Sequence, residues 1–187
     1  MKRKSISFLQ LAMIAVATSV LTVANVPAQT SVSDNPHLRA KDEPRKAPPP
    51  LSEKDRKFIQ DAANGGAAEV ADGEVAVQRG ESAEVKKIGS QMVADHSKAN
   101  KELVDLANKK GLALAMNKAK ARNFPKENFD GNYLASMETD HKADIKVFEK
   151  EASSGNDAEL KAWATKTLPT LKMHLSMVKD AMKNRQH

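Results

Sequence analysis

The chain has 187 residues, with 30 Lys and Arg against 24 Asp and Glu, and no cysteine. That length predicts one compact domain, and the missing cysteines exclude disulfides, thiol chemistry, cysteine zinc sites and a lipidated cysteine. Three of the cations are Lys2, Arg3 and Lys4; without residues 1–28 the balance is 27 against 24, with no run of five like charges. Phosphate tracks need clustered cations and base stacking needs aromatics, so no nucleic-acid partner is expected.

The N-terminus reads as a targeting segment. A basic start is followed by an apolar run from about Phe8 to Val23 and then by "VPA" ending at Ala28. This is the pattern of a secretory signal peptide over residues 1–28, cleaved after Ala28, which predicts a periplasmic or secreted protein. An uncleaved anchor is the alternative, although the apolar run is short for a membrane span of about 20 residues. No later segment approaches a span, so the mature chain is expected to have none. Residues 29–51 form a Pro-rich linker predicted to be disordered, with five prolines between residues 29 and 50 and too little apolar surface to offset chain ordering. His37 lies in it and is given no role.

From residue 52 to 185 the punctuation is that of four helices in one domain. Ser52 caps a first helix that ends at Gly80, and Ser82 caps a second that reaches Lys110 before Gly111. "NFPKENFDGN" breaks the chain at Pro125 and Gly131, so the third helix is expected from Asn132 to Ser153. Asn156 or Asp157 caps the fourth, which ends near Asn184. Pro169 lies inside this helix and predicts a kink or break near residues 166–168. Short links within each helix pair and no β alternation give an all-α, antiparallel four-helix bundle. The longer link over 111–131 is expected to cross the bundle end or carry an extra turn.

Residues three and four apart share a helix face, and each helix shows one apolar line broken by one polar residue. The first line is Ile59, Ala62, Gly66, Glu69, Gly73, Ala76. The second is Val85, Ile88, Met92, His96, Ala99, Leu103, and the third is Leu134, Met137, His141, Ile145, Phe148. The fourth is Leu160, Ala164, Thr167, Leu171, His174, Val178. Glu69, His96, His141 and His174 all lie far from helix ends, so they are expected to meet at one level. Inward Glu and His from facing helices are how bundles hold metals. Glu138 adds a Glu-x-x-His pair with His141 and is a secondary candidate ligand. Asp95 and Asp140 lie about 100° around the helix from their histidines and are expected to flank the site, cap a partner or face water rather than ligate the same ion. Gly66 and Gly73 either bring helices close or leave space for a bound group. Such a donor set suits Fe, Zn, Mn or Cu.

Three functional readings fit. The cluster binds a transition-metal ion without catalysis, or it is a structural network fixing packing in an envelope stress or interaction module, or it is a redox centre with an open metal position. The first two are not enzymes, and no protein or envelope partner can be named. No serine stands in a nucleophile elbow, and "NGGAAEVADG" lacks the Lys-Ser/Thr of a phosphate loop. Met92, Met137, Met173 and Met177 read as core filler, with a copper-binding methionine cluster as the alternative. Lys86, Lys87, Lys98, Lys101, Lys109 and Lys110 read as a solvated face, or as a docking face for an acidic partner or anionic lipid.

The segments "FIQDAANGGAAEV", "VKKIGSQMVADHSKANKEL", "FDGNYLASMETDHKADIKVFEKEA" and "DAELKAWATKTLPTLKMHL" resemble a family of exported bacterial proteins, domain of unknown function 4142, grouped with ferritin-like bundles. The resemblance covers nearly all of residues 54–182. It implies a ferritin-like fold and places Glu69, His96, His141 and His174 inside the characteristic motifs. It brings no settled activity. The second Glu-x-x-His of di-iron bundles is missing, since Gln91 and Asp95 stand near His96, so oxidase chemistry is not carried over.

Overall fold

The computed structural model describes residues 50–115 and 118–185. The expected signal peptide and nearly all of the linker, including His37, lie outside the described residues. Four helices are present among the described residues: α1 (Glu53–Arg79), α2 (Ala83–Lys109), α3 (Phe129–Ser154) and α4 (Ala158–Asn184). None is long and apolar enough to cross a membrane.

Three of the helix starts are set by local cap chemistry. The Ser52 hydroxyl accepts from the Asp55 amide, Ser82 accepts from Val85, and Asp157 accepts from Glu159 and Leu160. Each satisfies amide donors that have no partner within the helix. α3 departs from this pattern and from expectation. It begins at Phe129, three residues before Asn132, with Gly131 inside its first turn and Asn128 left-handed at φ 51° without a side-chain cap. The reason is a contact from the other hairpin. The fully buried Asp130 carboxylate accepts the Glu81 and Ser82 amides at 2.8 and 2.9 Å and pairs with Arg185 at 3.1 Å. This anchors the chain one turn earlier than its local sequence would.

Asp55 does the same job at the opposite end, where it is buried and accepts the Asn156 amide at 3.0 Å. The start of α1 therefore lies against the α3–α4 turn, a placement repeated by Lys54 bonding to Ser154. Lys109 and Lys110 at the end of α2 pair with Asp157 and Glu159 at the start of α4. All neighbouring helices are thus antiparallel. α2 and α3 point the same way, so the segment between them runs the length of the bundle, as the single long crossover of ferritin-like bundles does. Arg122 straps this crossover across the α1–α3 seam. Its amide and Nε reach the buried Asp72 at 2.7 and 2.6 Å, and its guanidinium also pairs with Asp140.

Three expectations change. α4 continues through Pro169, so of the expected kink or break the break does not occur. The ring and Thr165, whose carbonyl loses its helical donor, both lie on the exposed side of the helix. Lys110 is not on the solvated face: its side chain is 8% exposed, held between Asp157 and Glu159. Among the methionines, Met92 and Met137 are fully buried as core filler, Met177 is partly buried, and Met173 is exposed.

The hydrophobic core comes in two parts. One holds Phe58, Ile59, Leu103, Phe148, Leu160, Trp163 and Leu171 toward the α3–α4 turn. The other holds Ala76, Val85, Ile88, Met92, Phe129, Tyr133, Met137 and Val178 toward the α1–α2 turn. Burial of each large side chain contributes about 1.5–3 kcal/mol. Between the two parts lies a polar layer. Near that level α1 and α2 touch through their backbones: a Cβ added to Gly73 would lie 2.9 Å from the Gly89 carbonyl oxygen, and one on Gly89 2.8 Å from that of Gly73. Gly73 therefore serves close helix approach. Gly66 makes room for the Asn100 side chain, which an added Cβ would strike.

Candidate metal centre

The polar layer is built from the four residues that interrupt the apolar lines. Glu69, His96, His141 and His174 are all buried, the last two fully. The rings stand close, with His141 and His174 centroids 5.2 Å apart and His96 at 5.5 and 5.2 Å from them. The three histidines each offer a ligand atom within 4.8 Å of the others. One residue per helix at matched depth is what places them there. Glu138 is elsewhere, paired with Lys142 at 2.7 Å on the same helix.

The ring nitrogens divide into outward and inward atoms. The His141 Nδ1 lies 3.0 Å from the Met137 carbonyl, and Glu69 Oε1 lies 3.2 Å away. A carbonyl only accepts, so this nitrogen carries the proton and Nε2 keeps its lone pair. The His174 Nε2 lies 2.8 Å from Asp95 Oδ2. Burial would raise the Asp95 carboxyl, but bonds from Gln91 and His174 hold it below its ordinary value. It is a carboxylate, so His174 carries its proton on Nε2 and its lone pair on Nδ1. The His96 Nδ1 is engaged by Glu69 Oε2 at 3.1 Å, and its Nε2 has no partner among the described residues.

Two of these inward atoms meet. His141 Nε2 and His174 Nδ1 are 3.2 Å apart. Their outer partners leave both as acceptors, so a hydrogen bond between them needs one ring to be an imidazolium. Burial opposes that charge. It pushes His96 down to about 3 and His141 down to about 4, helped by neighbouring histidines, and it also lowers His174. At neutral pH two lone pairs face each other with no proton between them. A metal ion resolves the conflict: ligand bonds of about 2.0–2.1 Å at tetrahedral angles put nitrogens about 3.3 Å apart. One pair is already at that spacing, and each of the three rings offers a nitrogen within 4.8 Å of the others.

The carboxyls act from behind the rings. Asp95 fixes His174, and Glu69 touches the outer nitrogens of both His96 and His141. Outer partners of this kind set tautomer and ring orientation in metal sites. Burial first, then the charges of Asp144 and Asp140, raises the Glu69 carboxyl well above its ordinary range. Burial likewise raises Asp144, to about 6. Of the two flanking aspartates, Asp95 joins the network while Asp140 turns to Arg122. Sequence periodicity found the four central residues. It missed the Met137 carbonyl, a backbone atom without a sequence signal, and Arg122, whose partners are about 50 and 18 residues away.

The chain belongs to the family described as Domain of unknown function (DUF4142), whose sequence model matches residues 40–181. No curated protein matches the chain. Among solved structures, a DUF305 fragment from Deinococcus radiodurans superposes with a TM-score of 0.64 at 10% identity, covering 73% of this chain and 99% of the fragment. CopM in its Cu(I)-bound form superposes with a TM-score of 0.59 at 16% identity, covering 71% and 98%. These likenesses establish the bundle fold.

Proposed function

We propose that the protein binds one transition-metal ion through His96, His141 and His174, with Glu69, the Met137 carbonyl and Asp95 holding the rings. The observation that carries this reading is the pair of opposed lone pairs on His141 and His174. The facing nitrogens of neutral His141 and His174 are ready to bind without displacing protons from those rings. Imidazole donors suit zinc, copper, iron and nickel better than manganese, which prefers oxygen; we take copper or zinc as the ion. A fold neighbour is a Cu(I)-bound protein, which supports the capacity of such a bundle and nothing finer. Glu69 serves here as an orienting group rather than a ligand. Export to the periplasm, with cleavage after Ala28, belongs to the same proposal and rests on the sequence of residues 1–28.

Elemental analysis of protein purified without a tag tests this directly, with about one copper or zinc per chain expected. Protein that stays metal-free after reconstitution would leave the structural reading, in which the layer only fixes helix packing. That reading has its own support, since every histidine has a partner for one ring nitrogen.

A further inference from the structure

A groove of about 490 Å³ runs along the outer face of the α1–α2 hairpin, with Lys118 and Ala119 of the crossover lining one side. Its floor is apolar, built by Ala67, Val70 and Ala71 of α1 and Val104 of α2. Sites for small organic ligands have volumes of about 300–1,000 Å³ and set a few polar groups against such a lining. One of the polar groups here is unfinished. Asn100 lines the groove and is only 9% exposed, and among the described residues nothing bonds to its side-chain amide. A buried amide is normally paired. α1 also gives up a Cβ to seat it, since one added to Gly66 would lie 2.3 Å from Asn100 Oδ1. The chain makes room for a polar group and leaves it without a protein partner.

We propose that this groove binds a small organic monocarboxylate with an unbranched apolar body, of the medium-chain fatty acid type. The charges choose the head group. Lys101 already pairs with Asp105 at 2.7 Å, whereas Lys118 pairs with no acid among the described residues and offers one positive charge. The ligand carboxylate accepts from the Lys118 ammonium, the Asn100 amide and the Ser97 hydroxyl, all of which line the groove. Its apolar body lies on Ala67, Val70 and Ala71 and points toward Glu74. Gly66 stands beside Asn100 and Gly73 beside Val93, so Glu74 lies about 12 Å along α1 from the Asn100 level. An anionic group at the far end of the ligand would meet the Glu74 carboxylate there, so the ligand carries one carboxylate and not two. The inference does not depend on the metal reading.

Methyl NMR titration of the full chain with octanoate tests this. We expect saturable shifts at the methyl groups of Ala67, Val70, Ala71 and Val104. Octanol, octylamine and octanedioate should each bind more weakly than octanoate. Lys118→Gln, at an exposed position, should weaken octanoate roughly threefold to fivefold, the size of an exposed ion pair, and leave octanol unchanged. Glu74→Gln, also exposed, should narrow the gap between octanedioate and octanoate. Ala67→Phe fills the groove and should abolish the shifts, and the two exposed variants keep the test readable if that change disturbs the fold. Absence of saturable shifts at these methyl groups overturns the groove as a site. Octanol binding as tightly as octanoate, or octanoate binding undiminished in Lys118→Gln, overturns the carboxylate assignment.

Discussion

The bundle buries polar groups at two kinds of place, and they are satisfied in different ways. At the ends, Asp130 and Asp55 each cross from one hairpin to the other and cap its turn. Burial would raise both carboxyls, but backbone amides at each site, joined by Arg185 for Asp130, bring them below the ordinary value. Asp130 in particular is complete with protein partners alone. The middle layer is the reverse. Its Glu69 and Asp144 carboxyls are raised, its histidines are lowered, and its partners leave two lone pairs facing each other. A buried polar group is costly unless paired, so a layer that the protein does not finish points to a ligand that does.

This contrast predicts a double dissociation. The largest effect is His141→Ala, which removes one of three donors. Metal-linked stabilisation follows RT ln(1 + [L]/Kd), about 4 kcal/mol at a thousandfold excess over Kd, and this variant should lose essentially all of it. Melting with and without added copper or zinc measures that loss, and the metal-free melting temperature should change much less than the metal-bound one. Equal loss in both states would make the layer structural. Asp130→Ala should do the opposite. It strips the acceptor from two amides and leaves Arg185 without its partner, for about 3 kcal/mol of stability. Metal stoichiometry by elemental analysis should stay unchanged.

Acid separates the layers again. His96 and His141 have folded values of about 3 and 4 against about 6.5 unfolded. Their contribution is full above pH 6.5 and is lost as pH falls toward 4, because only the unfolded chain takes up protons there. Glu69 and Asp144 are raised and act in the opposite sense, gaining stability over the same fall. The lowered histidines outnumber the raised carboxyls, so the net change as pH falls through this range is a loss of stability. Asp130 and Asp55, both lowered, hold their contribution until pH falls below about 4. Urea midpoints against pH should therefore decline from pH 6.5 and steepen below 4. A flat line between 6.5 and 4.5 would remove the neutral-histidine argument.

The sequence made the middle layer legible and the ends illegible. A polar residue in an apolar line is visible wherever helix periodicity is visible, so Glu69, His96, His141 and His174 could be read without coordinates. Ser52, Ser82 and Asp157 were readable because a cap acts within three residues. Asp130 was not, since its partners are 48 to 55 residues away, and the start of α3 was misplaced for that reason. Glu69 was found as a residue and read as a candidate ligand. Its reach to the back of two rings depends on side-chain direction, which spacing does not encode. Lys110 looked like one more solvated lysine until the start of α4 closed over it.

The smallest test compares two glycines of α1 on either side of Glu69. Both occupy helix interior, where replacement by alanine gains about 0.5–1 kcal/mol if nothing is in the way. At Gly65 a Cβ meets nothing within 4 Å, so Gly65→Ala should raise the melting temperature by roughly 2–4 °C. At Gly73 it meets the Gly89 carbonyl at 2.9 Å and Val93 Cγ2 at 3.0 Å. A backbone oxygen cannot swing aside as a side-chain end can, so α2 must move. Overpacking costs about 1–3 kcal/mol, which outweighs the helix gain, and Gly73→Ala should lower the melting temperature. His96 rides on α2 one turn beyond Met92, whose Cβ is 3.4 Å from that same position. The displacement should therefore also weaken metal binding, an effect that Gly65→Ala lacks. If both variants melt higher and bind alike, the α1–α2 contact does not set the spacing of the histidine layer.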